Sequence, residues 1–389
     1  MLSCKWYVMK KFSIPKYDAH TFSMTDTMIV KGLAIVLLLY HHCFLQTSVD
    51  AVGGKIDFFP VSPSVAIDIC YSFKLCVGMF VFITGYGLYC SFKKINFHRD
   101  EICRWTGTRL VKTMSGFWFL YVVVFVVTMI VDQYPILRYF NNGPFTLKGL
   151  LYIVLDFLGL AKMFSTPSLI GTWWYMSAAV AFIVMFPLLY KLKDKIGYIP
   201  SILLASFIPR LIGTGFPGDK NAIAYLLALF AGMAFAEFNL FDKLNSIKLC
   251  KNKKLSDALT FLIYAALIVL TVILINQIKR KTFWELHFSL SAILIICFCK
   301  KYIACIPAVR NILYYIGRHS MNIYLIHTFF RYVYLGEFLY SLKNAMLIHT
   351  VLLLMSLAAS MLLEGLKKLV RYDKLVTAMT DKINKKVTQ

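Results

Sequence analysis

Apolar runs long enough to cross a bilayer recur along this chain, and they constrain its fold more than any motif does. The plainest are Ile29 to Gln46, Leu75 to Phe92, Leu110 to Val131, Thr172 to Tyr190, Ala222 to Phe238, Ala258 to Asn276 and Leu347 to Leu363. A helix needs about 20 predominantly apolar residues to span a hydrocarbon layer of about 30 Å. Within that layer each backbone N–H and C=O must be paired inside the segment, which a helix achieves and an open strand does not. Tyr198 to Gly213, Phe283 to Cys299 and Ser320 to Leu335 are weaker candidates, because polar or ionisable residues lower their average. Hydrophobic residues make up 59% of the 389, and the mean hydropathy of +0.68 is far above that of an ordinary soluble domain. The expected fold is all-α: a polytopic integral membrane protein of about ten transmembrane helices in one bundle.

The formal charge of +23 would suit a nucleic-acid binder, but the cations sit in short clusters at the ends of the apolar runs and form no basic domain. Membrane topology accounts for them better, since loops on the cytoplasmic side carry an excess of Lys and Arg. Most of the cations fall on one side if both termini are cytoplasmic, ten helices cross, and Leu150 to Leu160 enters and leaves on the outer side. Lys279-Arg280-Lys281 is the local exception. The chain divides into a cytoplasmic segment 1–28, a membrane domain 29–370 and a basic cytoplasmic tail 371–389, and it is expected in the inner or plasma membrane as a multi-pass protein. The ten cysteines include no CxxC pair, so neither a disulfide framework nor a metal site is expected. The first apolar run lacks a small-residue cleavage signature and reads as a retained span.

Ionisable groups inside such runs are costly and mark functional paths. Lys31 and His42 are eleven residues apart, so they return to one helix face about 16 Å apart, while His41 points about a quarter-turn away. A membrane-embedded imidazole is a candidate general base. Arg109 and Lys112, three apart, share a face at the same end of the third run, and three cations at one level would suit the phosphates of a ligand. Trp173, Trp174 and Tyr175 offer either an interfacial aromatic belt or a stacking platform for a sugar or lipid carrier. Arg210 sits where it could meet an anionic acceptor. His327 and His349 are candidate relay groups, although a lone membrane histidine more often bonds a neighbouring helix.

Five blocks in order resemble the membrane-bound acyltransferase 3 family, whose members acylate surface sugars and related acceptors. Lys31-Gly32-Leu33-Ala34-Ile35 through His41-His42 is similar to the family's basic residue, ten-residue gap and histidine, which selects His42 over His41. Gly78 to Tyr89 resembles the second-span signature, with Thr84 in place of its usual serine, and Arg109-Leu110-Val111-Lys112 resembles its Arg-x-x-Arg pair, with lysine second. Gly171 to Met176 with Phe186-Pro187-Leu188, and Ile316 to His327, resemble the family's tryptophan span and its late Tyr-Leu-x-His segment. The resemblance implies an acyltransferase domain over 29–370. It would move an acyl group, commonly acetyl, from acetyl-CoA or another acyl-CoA to a hydroxyl of a carbohydrate or lipid-linked sugar among membrane lipids, without metal or nucleic acid. On it, His42, with Lys31 and His41 nearby, carries the catalysis, Arg109 and Lys112 hold the coenzyme, and Trp173, Tyr175 and Arg210 face the acceptor. The chief rival is a secondary transporter of a small polar solute, which would want symmetry-related halves and mid-membrane acids. A sugar polymerase or ligase would want a large outer loop, and the chain has none.

Overall fold

The computed structural model describes residues 17–18, 20–45, 56–211, 222–278 and 284–386. The first helix, α1 (Met24–Cys43), starts where it does because Ser23 and Asp26 form a reciprocal capping box. A break at Phe73 and Lys74 separates α2 (Pro63–Ser72) from α3 (Leu75–Phe92), and α4 (Arg99–Val131) is the longest helix. Two short helices follow, α5 (Tyr134–Phe140) and α6 (Leu147–Phe157). A 3-10 turn over Gly171–Trp173 leads into α7 (Trp174–Ile196), and Gly197, at φ 83°, turns the chain into α8 (Tyr198–Leu211). A bend of 72° joins α9 (Leu226–Glu237) to α10 (Leu240–Ser246). The rest comprises α11 (Lys253–Ile278), α12 (Trp284–Phe298), α13 (Pro307–Thr328), α14 (Gly336–Ser341), α15 (Ala345–Leu369) and α16 (Tyr372–Lys386). Two π-helical stretches, Cys299–Ile303 and Phe329–Tyr334, continue α12 and α13. Among the described residues there is no strand, only an isolated bridge between Asp57 and Asn344.

Among the described residues, seven helices are long and apolar enough to cross a membrane, or eight if the bent pair α9–α10 counts as one span. The late candidate Ser320 to Leu335 is displaced: its helix begins at Pro307 and gives way to π-helix at Phe329. Hydropathy averaging misplaces it because Arg310, Arg318, His319 and Asn322 lie on α13, and two of these are satisfied inside the bundle. His319 Nδ1 lies 2.8 Å from Ser360 Oγ, and Asn322 donates to Ser360 Oγ at 3.0 Å and Glu364 Oε1 at 2.9 Å. At 11 residues α6 rises only about 16 Å, too little to cross. The segment expected as a basic cytoplasmic tail forms α16, which binds α4 through Tyr372 to Ser115 O at 2.9 Å and Thr108 to Asn384. The Lys279-Arg280-Lys281 loop lies outside the described residues.

The centre of the bundle is the contact of α1 with α13. A Cβ on Gly32 would overlap the carbonyl of Leu313, and one on Gly317 would overlap that of Met28, so only glycine permits this approach. Pairing of Met28 with Gly317 and of His42 with His327 makes the two helices parallel. Contacts of Gly116 with Met321 and of Asp132 with Tyr334 give α4 the same direction. By contrast α3 runs against them: Cys70, just before it, meets His41, and Tyr86, near its end, donates to Phe22 O beside the start of α1.

Candidate active site

His41 and His42 leave α1 in different directions and meet different partners. His41 is buried, and its Nδ1 donates to Cys70 O at 2.7 Å, which ties α1 to α2. His42 turns toward α13, where its Nδ1 lies 2.7 Å from Nε2 of His327. The protons in this second pair follow from what His327 touches next. Its Nδ1 is 2.7 Å from Tyr324 O and 3.2 Å from Ile323 O, and a carbonyl only accepts, so that nitrogen is protonated. In the neutral ring Nε2 then accepts, and His42 Nδ1 must donate to it. Neutral His42 therefore holds its lone pair on Nε2. The Thr328 hydroxyl lies 3.1 Å from His327 Nε2 and pairs with Thr172 at 3.1 Å.

From this pair a line of partly accessible residues runs back toward the start of α1. The Tyr324 and His327 rings are 6.2 Å apart, as are those of Tyr175 and Tyr324, and the Tyr175 hydroxyl bonds Thr84 on α3. Lys31, His42, Thr84, Tyr175 and Tyr324 all lie on helices inside the bundle, and each keeps part of its surface open. Tyr324 ties α13 to the turn before α7 by donating to Thr172 O. At about 1.5 Å per residue from the contacts of Gly116, Met321, Gly317 and Met28, Arg109 and Lys112 fall within about one turn of the level of Lys31. Arg109 is steadied by Gly87 O at 3.3 Å and by the Trp105 ring, 6.0 Å away, whereas Lys112 is exposed. The cations share a level but not a helix pair, because α3 and α13 stand between α1 and α4.

A family profile described as an acyltransferase domain matches residues 28–365, from the second turn of α1 into the last turns of α15. The chain belongs to the acyltransferase 3 family. No curated protein and no solved structure matches it. This member of the acyltransferase 3 family is a multi-pass membrane protein.

The family's tryptophan span has a structural task in this chain. Trp173 is buried, with its indole N–H donating to Leu325 O at 2.9 Å and its ring packed edge-on against Phe117, so Tyr175 and not Trp173 keeps surface open. The side chain of Arg210 lies outside the described residues. His349 is committed to Val36 O at 3.0 Å and stands apart from the imidazole pair. Sequence reasoning treats His327 as a lone histidine; the signal that would have raised it is the late Tyr-Leu-x-His block, read together with His42 as two halves of one site. Among the described residues, no three His, Cys, Asp or Glu side chains converge as metal ligands would.

Proposed function

We propose that this acyltransferase takes an acyl group, acetyl in the first instance, from a cytoplasmic acyl-CoA and transfers it to a hydroxyl of a cell-surface polysaccharide or its lipid-linked precursor. The observation that carries the reading is the His42–His327 pair, which fixes the His42 lone pair on Nε2. In this reading ten helices cross the inner or plasma membrane, α8 and α13 completing the count, both termini are cytoplasmic, and the Lys31 end of the bundle faces the cytoplasm. Lys31, Arg109 and Lys112 hold the coenzyme's phosphates, and its pantetheine arm runs past Tyr175 and Tyr324 to His42. His42 Nε2 takes the acceptor's hydroxyl proton as that oxygen bonds to the thioester carbonyl carbon. The tetrahedral intermediate then collapses, the C–S bond breaks, and the coenzyme thiolate takes the proton back from His42. While His42 is cationic, its Nδ1–H bond to His327 becomes charge-assisted and so steadies the state that forms during transfer. Membership of an acyltransferase family favours this reading over a transporter.

The decisive experiment follows labelled acetyl from acetyl-CoA into membrane glycans, with mass spectrometry of the surface glycans to name the acceptor. His42→Ala should cut transfer by about 10²–10⁴, with coenzyme A binding retained. Full transfer by that variant overturns the base assignment. Arg109→Ala should weaken coenzyme A binding in folded protein, and unchanged affinity would remove Arg109 from the donor site.

A further inference from the structure

His327 is contacted at both ring nitrogens, by Tyr324 O at Nδ1 and by the Thr328 hydroxyl beside Nε2, and both of those residues are tied to one turn outside α13. Thr172, in the 3-10 turn before α7, accepts from the Tyr324 hydroxyl at its backbone carbonyl and pairs with Thr328 through its side chain at 3.1 Å. Trp173 adds a third tie, from its indole N–H to Leu325 O. The imidazole pair is therefore placed only as firmly as this turn.

A buried carboxylate on the neighbouring α6 places the turn. The chain between α6 and α7 is fastened near its start, where Ser177 Oγ donates to Gly159 O at 2.6 Å and accepts from Lys162 N at 3.2 Å. It is fastened again near its end, where Arg138 donates twice to Ser168 O, at 3.1 and 3.0 Å, and Leu169 N–H donates to Asp156 at 2.7 Å. Leu169 is fully buried and stands three residues before Thr172. One oxygen of Asp156 takes both the Leu169 N–H and the Tyr139 hydroxyl. Burying a carboxylate is costly, but a charged acceptor holds its donors about twice as strongly as a neutral one. We propose that Asp156 is a positioning residue for acyl transfer: through Leu169 it seats the Gly171–Trp173 turn, and through Thr172 that turn seats the two residues that contact His327 beside His42. The inference rests on the acyl-transfer reading for the reaction served, whereas the seating of the turn stands apart from it.

The test reads the full chain in two ways: backbone hydrogen exchange over 169–173 in phosphatidylcholine nanodiscs without substrate, and steady-state transfer of labelled acetyl from acetyl-CoA into membrane glycans. Asp156→Ala should speed exchange at Leu169 by about tenfold or more and cut kcat by about 10–100-fold, with KM for acetyl-CoA unchanged. Asp156→Asn, whose amide oxygen can accept both bonds, should recover at least part of the rate. Thr172→Val removes only the tie to Thr328, so the double variant with Asp156→Ala should lose no more than Asp156→Ala alone, because both act through one turn. An unchanged kcat in Asp156→Ala, a raised KM in its place, losses that multiply in the double variant, or an Asp156→Asn rate no better than that of Asp156→Ala overturns the proposal. If Asp156→Ala fails to fold, Arg138→Gln carries the comparison, since it changes an exposed side chain and frees Ser168 beside Leu169. Faster exchange at Leu169 with a smaller loss of kcat is then expected, and no change in either overturns the seating of the turn. Unaltered membranes that transfer no acetyl would defeat the acyl-transfer reading, and exchange alone would then decide whether Asp156 seats the turn.

Discussion

At the scale of single residues, the contact between His42 and His327 makes two rings behave as one unit. His327 is a positioning residue: it fixes which nitrogen of His42 holds the lone pair. His327→Ala should lower kcat for acetyl transfer by about 10–100-fold while leaving KM for the acyl-CoA nearly unchanged. His327→Gln, whose amide oxygen still accepts from His42 Nδ1, should recover much of the loss, and steady-state kinetics of the two variants separates orientation from bulk. A second buried group lies on α6, outside the crossing helices. Asp156 accepts from the Tyr139 hydroxyl at 2.6 Å and from Leu169 N–H at 2.7 Å, yet burial outweighs these bonds and pushes its carboxyl up to about 6 from an ordinary 3.8. The folded protein then keeps this proton to a higher pH than the unfolded chain does. Its share of stability should therefore fall as pH rises from about 4 to 6 and level off above. Thermal unfolding across that window should show the fall, and Asp156→Asn should flatten it.

At the scale of helices, the apolar runs predict most elements because a crossing helix must be both long and apolar, and α1, α3, α4, α7, α11 and α15 lie where those runs fall. The helix that matters most to the site was the hardest to read. α13 carries half of the imidazole pair, and its arginines, histidines and asparagine lower its hydropathy, although His319 and Asn322 are met by α15 across the bundle. The glycines gave a fainter signal: Gly32 and Gly317 are unremarkable in sequence, and only the close approach of α1 to α13 explains them. Gly317→Ala should force the two helices apart, cost about 1–3 kcal/mol, and lower activity by drawing His327 away from His42. Gly365 on α15 meets nothing within 4 Å, so Gly365→Ala should leave the melting temperature unchanged or raise it. Equal melting temperatures for the two variants would show that the α1–α13 approach tolerates a methyl group.

At the scale of the whole molecule, the Lys31 end is closed by a buried ion pair that joins three parts of the chain. Lys300, 1% exposed, bonds Asp26 at 2.8 Å and Asp18 O at 2.5 Å, linking the π-helical turn after α12 to the start of α1 and the segment before it. Lys300→Met should cost about 3–5 kcal/mol, because it leaves the Asp26 carboxylate buried without its counter-charge. The double variant with Asp26→Asn should unfold at a higher temperature than Lys300→Met alone. None of these long-range pairings was legible in the sequence, since charge patterning along one chain says which end of a helix is basic but not which distant acid it meets. The same holds for the site: Lys31, His42 and Arg109 stood out by spacing, whereas the partner of His42 lies 285 residues away. That distance bears on how the protein is made. The ribosome delivers α1 to the membrane long before α13 exists, so a growing chain holds only half of its reactive centre. On the proposed acyl-transfer reading, full activity should therefore wait until α13, which begins at Pro307, has inserted.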